Sequence, residues 1–272
     1  MPPTAADIFG APKALVGMVH VRALPGTPRH PDEPVRDIAR AAADEARLLA
    51  SAGFDAVILE NMHDAPYLRR EVGPEIVASM TAVAATVREA VEVPLGIQIL
   101  AGANRAALAT AHAAGCNFIR AEGFVYASVA DEGLLDEADA GQLLRFRKHI
   151  GADDIRVLAD IKKKHSAHAI TADIDLAESA RAAEFFNADG VIVTGAATGR
   201  PTSIDDVRAA RAATPLPLAI GSGVRPENTR ELLDHADALI VGSWYKQRGV
   251  WRNEPDPERV EDLVTAVERA RL

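Results

Sequence analysis

The chain of 272 residues contains a single cysteine, Cys116. One thiol excludes an intramolecular disulfide and any multi-cysteine metal site. It stands in "AAGCNFIR", where a helix gives way to a strand, and reads as a buried, inert residue. No run of eighteen apolar residues occurs, so no transmembrane segment is expected. A long basic tract is missing as well. The formal charge is −9, spread along the chain, which argues against nucleic acid as a partner. The opening "MPPTAADIFGAPK" lacks a charged segment followed by an apolar one, so no secretory leader is expected and the cytoplasm is the expected location. The chain also lacks the H-x-x-x-H and H-E-x-x-H metal spacings, the P-loop, the dinucleotide fingerprint and the nucleophile elbow of hydrolases.

What remains is ordinary globular composition, 48% hydrophobic and 25% charged, enough to bury a core without disulfides. Short runs rich in Val, Ile and Leu alternate with Ala/Glu/Arg-rich segments of helical period. The strand-like runs cover 14–20, 55–60, 94–100, 117–122, 155–162, 190–195, 217–221 and 238–242. The helical segments cover roughly 35–52, 74–90, 103–114, 138–149, 173–187, 203–213, 226–235 and 256–270. Between helix and strand a small phrase recurs, "SAGFDAVI", "AAGCNFI", "FFNADGVI" and "DHADALI", each a helix end followed by Asp or Asn and a buried strand. Eight such units with near-continuous apolar strands predict a single (β/α)8 TIM barrel. It is expected to be one domain over 1–272, with 1–12 a short N-terminal extension.

In that fold the chemistry gathers at the C-terminal ends of the strands. The polar residues there are His20, Glu60 with Asn61, Gln98, Arg120 with Glu122, Asp160 with Lys162, Thr194 with Gly195, Ser222 and Ser243. After the sixth, seventh and eighth runs come "TGAATGRPT", "GSGVRPEN" and "GSWYKQRG". Loops at these positions commonly hold a phosphate on backbone N–H groups. The expected phosphate-binding residues are therefore Thr194, Gly195, Gly221, Ser222, Gly223, Gly242 and Ser243, with Arg225 or Lys246 as added positive charge. The rival reading of the glycines is relief of crowding at the barrel rim.

"ADIKKKHS" offers Asp160, Lys162, Lys164 and His165 at one strand end and loop, with Asp160 and Lys162 on one face by period-two alternation. These groups, with Glu60 and His20, are the expected proton-transfer residues, with Lys162 or Lys164 as a Schiff-base lysine; the rival reading of the lysines is a salt-bridged barrel interior plus a basic loop. Asn61, Gln98, Arg120 and Glu122 are expected to contact substrate. No cofactor is required by the sequence. His20, Glu60, Asp160 and His165 make a secondary candidate set for a divalent metal, since imidazole and carboxylate suit Zn, Mn or Fe. The loop "EGFVYASVADEGLL" is long enough for a substrate lid, with Phe124 and Tyr126 as its aromatics.

The segments "ALVGMVHVRALPGTPRH", "DAVILENMHDAPY", "VGPEIVASMTAV", "NFIRAEGFVYASVADEGLL", "VLADIKKKHS", "VIVTGAATGRPT" and "GSGVRPENTRELL" together resemble the BtpA/SgcQ family, over essentially the whole chain. The resemblance implies a phosphate-binding barrel and two kinds of function. One member is named for building photosystem I at the thylakoid membrane, and another belongs to genes of carbohydrate metabolism. The family pattern D-x-H-x-K-H at the fifth strand is matched by Asp160, Lys164 and His165, while Lys162 replaces its first His. That replacement weakens the metal reading.

The combined expectation is an enzyme acting on a small phosphorylated sugar-like or nucleotide-derived metabolite, with isomerase, epimerase or lyase chemistry, and a homo-oligomer. The alternative is a non-catalytic assembly factor for a membrane complex, for which "VGSWYKQRGVW" with Trp244 and Trp251 is the only aromatic, basic stretch.

Overall fold

The computed structural model of the protein describes residues 2–162, 166–167, 169–195 and 202–272. In chain order the strands are β1 (Ala14–His20), β2 (Ala56–Glu60), β3 (Leu95–Gln98), β4 (Phe118–Glu122), β5 (Ser128–Ala130), β6 (Gly133–Leu135), β7 (Arg156–Lys162), β8 (Ser166–Ala167), β9 (Gly190–Val193), β10 (Leu218–Ile220) and β11 (Ala238–Val241). The helices are α1 (Ala5–Phe9), α2 (Val35–Ala52), α3 (Pro74–Ala90), α4 (Asn104–Ala114), α5 (Ala140–His149), α6 (Leu176–Phe185), α7 (Ile204–Ala213), α8 (Thr229–Leu233) and α9 (Pro257–Arg271). Parallel strands close a barrel in the order β1-β11-β10-β9-β7-β4-β3-β2, the TIM barrel that the alternation predicts. Strands β5, β6 and β8 form a small separate sheet on the loop after β4. The α8 segment is shorter than expected: a tight turn at Pro226–Asn228 precedes only five α-helical residues.

Period-two alternation sorts the strand side chains into two cores. Val16, Met18, Ile58, Phe118, Leu158, Ile192 and Ile240 fill the barrel interior, while Leu15, Val57, Leu95, Ile119, Val157, Val191 and Leu239 face the helices. Helix α1, absent from the expected elements, closes the lower end. Thr4 and Asp7 cap it reciprocally, and Phe9 meets the Phe118 ring edge-on at 5.4 Å. Phe118 takes the space that a side chain at position 96 would need, since a Cβ on Gly96 would lie 2.3 Å from its ring.

The recurring Asp/Asn phrase has one physical task. Asp55, Asn117, Asp189 and Asp237 each accept an N–H at the start of the neighbouring strand, from Leu15 (2.7 Å), Leu95 (3.0 Å), Val157 (2.9 Å) and Leu218 (2.9 Å). Arginines from the helices complete the acceptors: Arg147 on Asp189 (2.7 Å), Arg211 on Asp237 (2.8 Å) and Arg271 on Asp55. Four junctions of the lower rim are thereby tied to neighbouring strands, at the end of the barrel opposite the polar strand ends.

Candidate functional site at the barrel mouth

Above the apolar interior the inward positions turn polar. His20, Glu60 and Gln98 stand side by side on β1, β2 and β3, and Glu122 stands beside Asp160 on β4 and β7. Arg120 is almost wholly buried, and so is its partner: Nε and Nη2 donate to Asp160 Oδ2 at 3.1 and 2.5 Å. Burial works against the Arg120 charge, but Asp160, Glu60 and Glu122 outweigh it and hold the guanidinium above its ordinary pKa. It is a fixed cation.

His20 Nε2 lies 3.6 Å from Glu60 Oε2, both buried. On the other side of the ring, Nδ1 is 3.0 Å from the Trp251 carbonyl oxygen. A carbonyl only accepts, so Nδ1 carries a proton and Nε2 is the ring nitrogen that faces Glu60. The Trp251 ring packs edge-on against His20 and also meets His63. His63 itself is pushed down to about 4, by burial first and then by Lys246, Arg22 and Arg29. It stays neutral beside the site.

One cavity of about 650 Å³ joins this polar layer to the glycine-rich loops. Its lining includes His20, Glu60 and Arg120 at the base, and Gly221, Ser222, Gly223, Gly242 and Ser243 along one wall. The Gly195 N–H donates to Ser222 Oγ (2.7 Å), and Thr202 Oγ1 donates to the Ser222 carbonyl (3.1 Å), tying the loop after β9 to that after β10. Gly223 takes a left-handed φ of 71°, which glycine adopts without penalty. The crowding account also holds for two glycines. A Cβ on Gly242 would lie 2.9 Å from His20 Nε2, and one on Gly221 would lie 2.8 Å from Thr194 Cγ2.

Several expectations are corrected. Lys162 does not share the inward face with Asp160. The β7–β9 register shifts between them, so Asp160 pairs with Ile192 and Lys162 with the outward-facing Val193. This bulge re-aims the side chain, and the Lys162 ammonium pairs with Asp206 on α7, away from the cavity. Lys246 is no anion ligand either: it is buried against Glu45 (2.5 Å), whose carboxyl burial pushes up. Asn61 is a clamp rather than a substrate contact. Its Oδ1 accepts from the Leu100 N–H (2.7 Å) and its amide donates to Asp64 (2.8 Å), which also accepts from the Leu24 N–H. Gln98, Glu122 and Asp160 are buried near the site but do not line the cavity. Asp160 stands behind Arg120 and positions it. Thr194 and Gly195 are likewise off the lining, and Thr194 Oγ1 donates to the Lys162 carbonyl. Phe124 is fully buried in the outer core, not a lid. Lys164 and His165 lie outside the described residues. Of the metal candidates, His20 and Glu60 are adjacent, but Asp160 is committed to Arg120. Among the described residues no group of three His, Cys, Asp or Glu stands close enough to hold a metal ion. Cys116 is buried as expected, and burial pushes its thiol up to about 12.

Sequence reasoning missed three contributors. Trp251 follows the eighth strand by ten residues, and its backbone oxygen, not its ring, sets the His20 tautomer. Arg248 and Arg259 line the cavity from a turn and from the first turn of α9. A helical pattern alone assigns Arg259 to solvent.

The BtpA family model matches residues 11–269, nearly all of this architecture. The chain belongs to the BtpA family. Its similarity to "Uncharacterized protein F13E9.13, mitochondrial" of Caenorhabditis elegans is 45% identity over 92% of this chain and 91% of that one. To "Photosystem I biogenesis protein BtpA" of Synechocystis it is 34% identity over 95% of this chain and 89% of that one. Among solved structures, (S)-3-O-geranylgeranylglyceryl phosphate synthase from Thermoplasma acidophilum, in complex with sn-glycerol-1-phosphate, superposes with a TM-score of 0.61. It covers 97% of both chains at 14% identity, a likeness of fold. Among the described residues of this BtpA-family chain no helix is long and apolar enough to cross a membrane.

Proposed function

We propose that this protein is an enzyme acting on a small phosphorylated metabolite at the barrel mouth. The observation that carries the reading is the single cavity that reaches both the His20–Glu60 pair and the Gly221–Gly223 and Gly242–Ser243 loops. A phosphoryl group on the loops would receive backbone N–H groups and the Ser222 and Ser243 hydroxyls, in the manner usual for loops after late barrel strands. The rest of the molecule would then extend inward over His20, Glu60 and Arg120.

At that inner end the chemistry is proton transfer. Glu60 and His20 Nε2, 3.6 Å apart, would each take a proton from or return one to a bound substrate, and Arg120 is a permanent cation suited to an oxygen that gains negative charge. Such a set fits enolisation, epimerisation or retro-aldol cleavage next to a carbonyl, hence isomerase, epimerase or lyase chemistry on a sugar-like or nucleotide-derived phosphate. The co-crystallised sn-glycerol-1-phosphate of the Thermoplasma neighbour suits this reading by fold analogy.

The test is proton exchange in deuterated water, followed by NMR on a panel of sugar phosphates. The wild type is expected to exchange a carbon-bound proton of one compound class. His20→Gln is expected to slow that exchange by roughly 10²-fold or more, the usual contribution of a general acid–base. Exchange unaffected in both His20→Gln and Glu60→Gln would remove the pair from the mechanism.

A second reading, a non-catalytic assembly factor, rests on the name of the Synechocystis relative. It gives no task to a buried His–Glu pair at the base of an open cavity. Co-sedimentation with liposomes, together with no exchange on any compound, would favour it.

A further inference from the structure

Four arginines border the cavity: Arg120, Arg225, Arg248 and Arg259. Arg120 is committed to Asp160 at its base. The other three come from separate segments, Arg225 two residues after Gly223, Arg248 five after Ser243, and Arg259 at the start of α9. Among the described residues none of these three lies within ion-pair distance, 4.0 Å, of a carboxylate. The residues outside that set contain no Asp or Glu. The chain as a whole has 39 acidic residues against 30 basic ones, so acidic partners are not scarce. Glu227 is the one acid that shares this outer part of the lining.

Two of the arginines are held in place. Arg259 stacks over the Trp244 ring, 4.3 Å from its centroid, and its Nε donates to the Trp244 carbonyl at 2.6 Å. That bond leaves the two terminal nitrogens for the cavity. Arg248 sits in the left-handed region (φ 59°, ψ 13°), a conformation that suits Gly or Asn and is disfavoured for a long side chain. An unfavourable backbone at an arginine lining a cavity is the kind of cost retained at ligand sites.

A single phosphate on glycine-rich loops is satisfied by backbone N–H groups and hydroxyls. Three guanidiniums lining the same cavity exceed what one phosphoryl group needs. Guanidinium binds phosphoryl oxygens in bidentate fashion. We infer that the outer end of the cavity binds a diphosphate, with one phosphoryl group on the Gly221–Gly223 and Gly242–Ser243 loops and the second among Arg225, Arg248 and Arg259. Arg225 follows Gly223 by two residues and Arg248 follows Ser243 by five, and all four line one cavity, so the second group is expected beside the first. A bisphosphate with its charges at opposite ends of a carbon chain fits this layout less well. This inference rests on the phosphate-loop reading above and names the ligand class for it: organic diphosphates, nucleoside diphosphates among them.

Isothermal titration of the full chain with inorganic phosphate and inorganic diphosphate, in magnesium-free buffer at physiological salt, tests it. The wild type is expected to bind diphosphate roughly ten-fold or more tightly than orthophosphate, a difference of one charge-assisted contact or more. Arg248→Ala keeps a Cβ at the same backbone position, so it removes the guanidinium without changing the local strain. It is expected to erase most of that preference while orthophosphate affinity stays within about two-fold. Arg259→Gln is the second variant and should act the same way. Equal affinity for the two anions in the wild type overturns the diphosphate assignment and leaves the phosphate-loop reading standing. A preference that survives in both variants overturns it too, because the second phosphoryl group then binds elsewhere. Binding of neither anion removes both readings.

Discussion

Gly221 and Gly242 illustrate how a residue can be small for a neighbour's sake. Each leaves room for an inward side chain, Thr194 in one case and the His20 imidazole in the other. His20 in turn needs the Trp251 carbonyl to hold its proton on Nδ1. Lys162 is the counter-example, a residue whose chemistry attracts attention but whose direction is wrong. Its charge is spent on Asp206 in a half-exposed pair, an arrangement worth at most about 1 kcal/mol. Lys162→Met is therefore expected to leave ligand binding and proton exchange within about two-fold of wild type, with stability lowered by no more than about 1 kcal/mol. Titration and thermal unfolding of that variant check it, and a loss of binding on the scale of a His20 variant would return Lys162 to the site. One register shift in β7 accounts for the error, and a strict period of two gives no warning of a bulge. Of the polar strand ends read from the sequence, His20, Glu60, Arg120 and the two glycine–serine pairs line the cavity, while Gln98 and Glu122, also on regular strands, are buried off it.

Elements were legible in part because four of the helix–strand junctions carry the same physical instruction. A left-handed glycine ends α2 and α4, at Gly53 and Gly115. The Asp or Asn that follows, at 55, 117, 189 and 237, accepts an N–H at the start of the next strand over. The phrase was visible in the sequence, but its partner was not, since the accepted N–H lies on a different strand. Asp189→Ala would orphan the buried Val157 N–H and strip Arg147 of its carboxylate partner. Its expected cost is about 2–3 kcal/mol, the range for a charged acceptor of a buried donor. Asp205→Ala, on the exposed face of α7, is the control, and thermal unfolding should show little change for it. Equal destabilisation by the two would mean that the junction acceptors are ordinary surface charges. The plug helix α1 and the β5–β6 hairpin escaped the sequence reading because each is too short to show a period.

At the scale of the molecule, the two ends of the barrel have opposite designs. The lower rim is stapled by carboxylate–backbone bonds and sealed by Phe9 over Phe118. The upper rim keeps a cavity of about 650 Å³, with a fixed cation and a His–Glu pair at its base and arginines at its edge. Family membership and the barrel fold follow from the whole chain. The arginine rim draws on Arg225, Arg248 and Arg259, spaced 23 and 11 positions apart in sequence, and only folding brings them to one cavity. The measurement that tests the central claim most directly is a thermal-shift screen of wild type and Gly223→Val against orthophosphate, diphosphate, sugar phosphates and nucleotides. A ligand at a hundred times its dissociation constant adds about 2.7 kcal/mol, which raises the melting temperature by several degrees. A shift with one phosphorylated class, lost in Gly223→Val, is the predicted result. No shift with any phosphorylated compound, or an equal shift in the variant, would contradict an anion-binding barrel mouth.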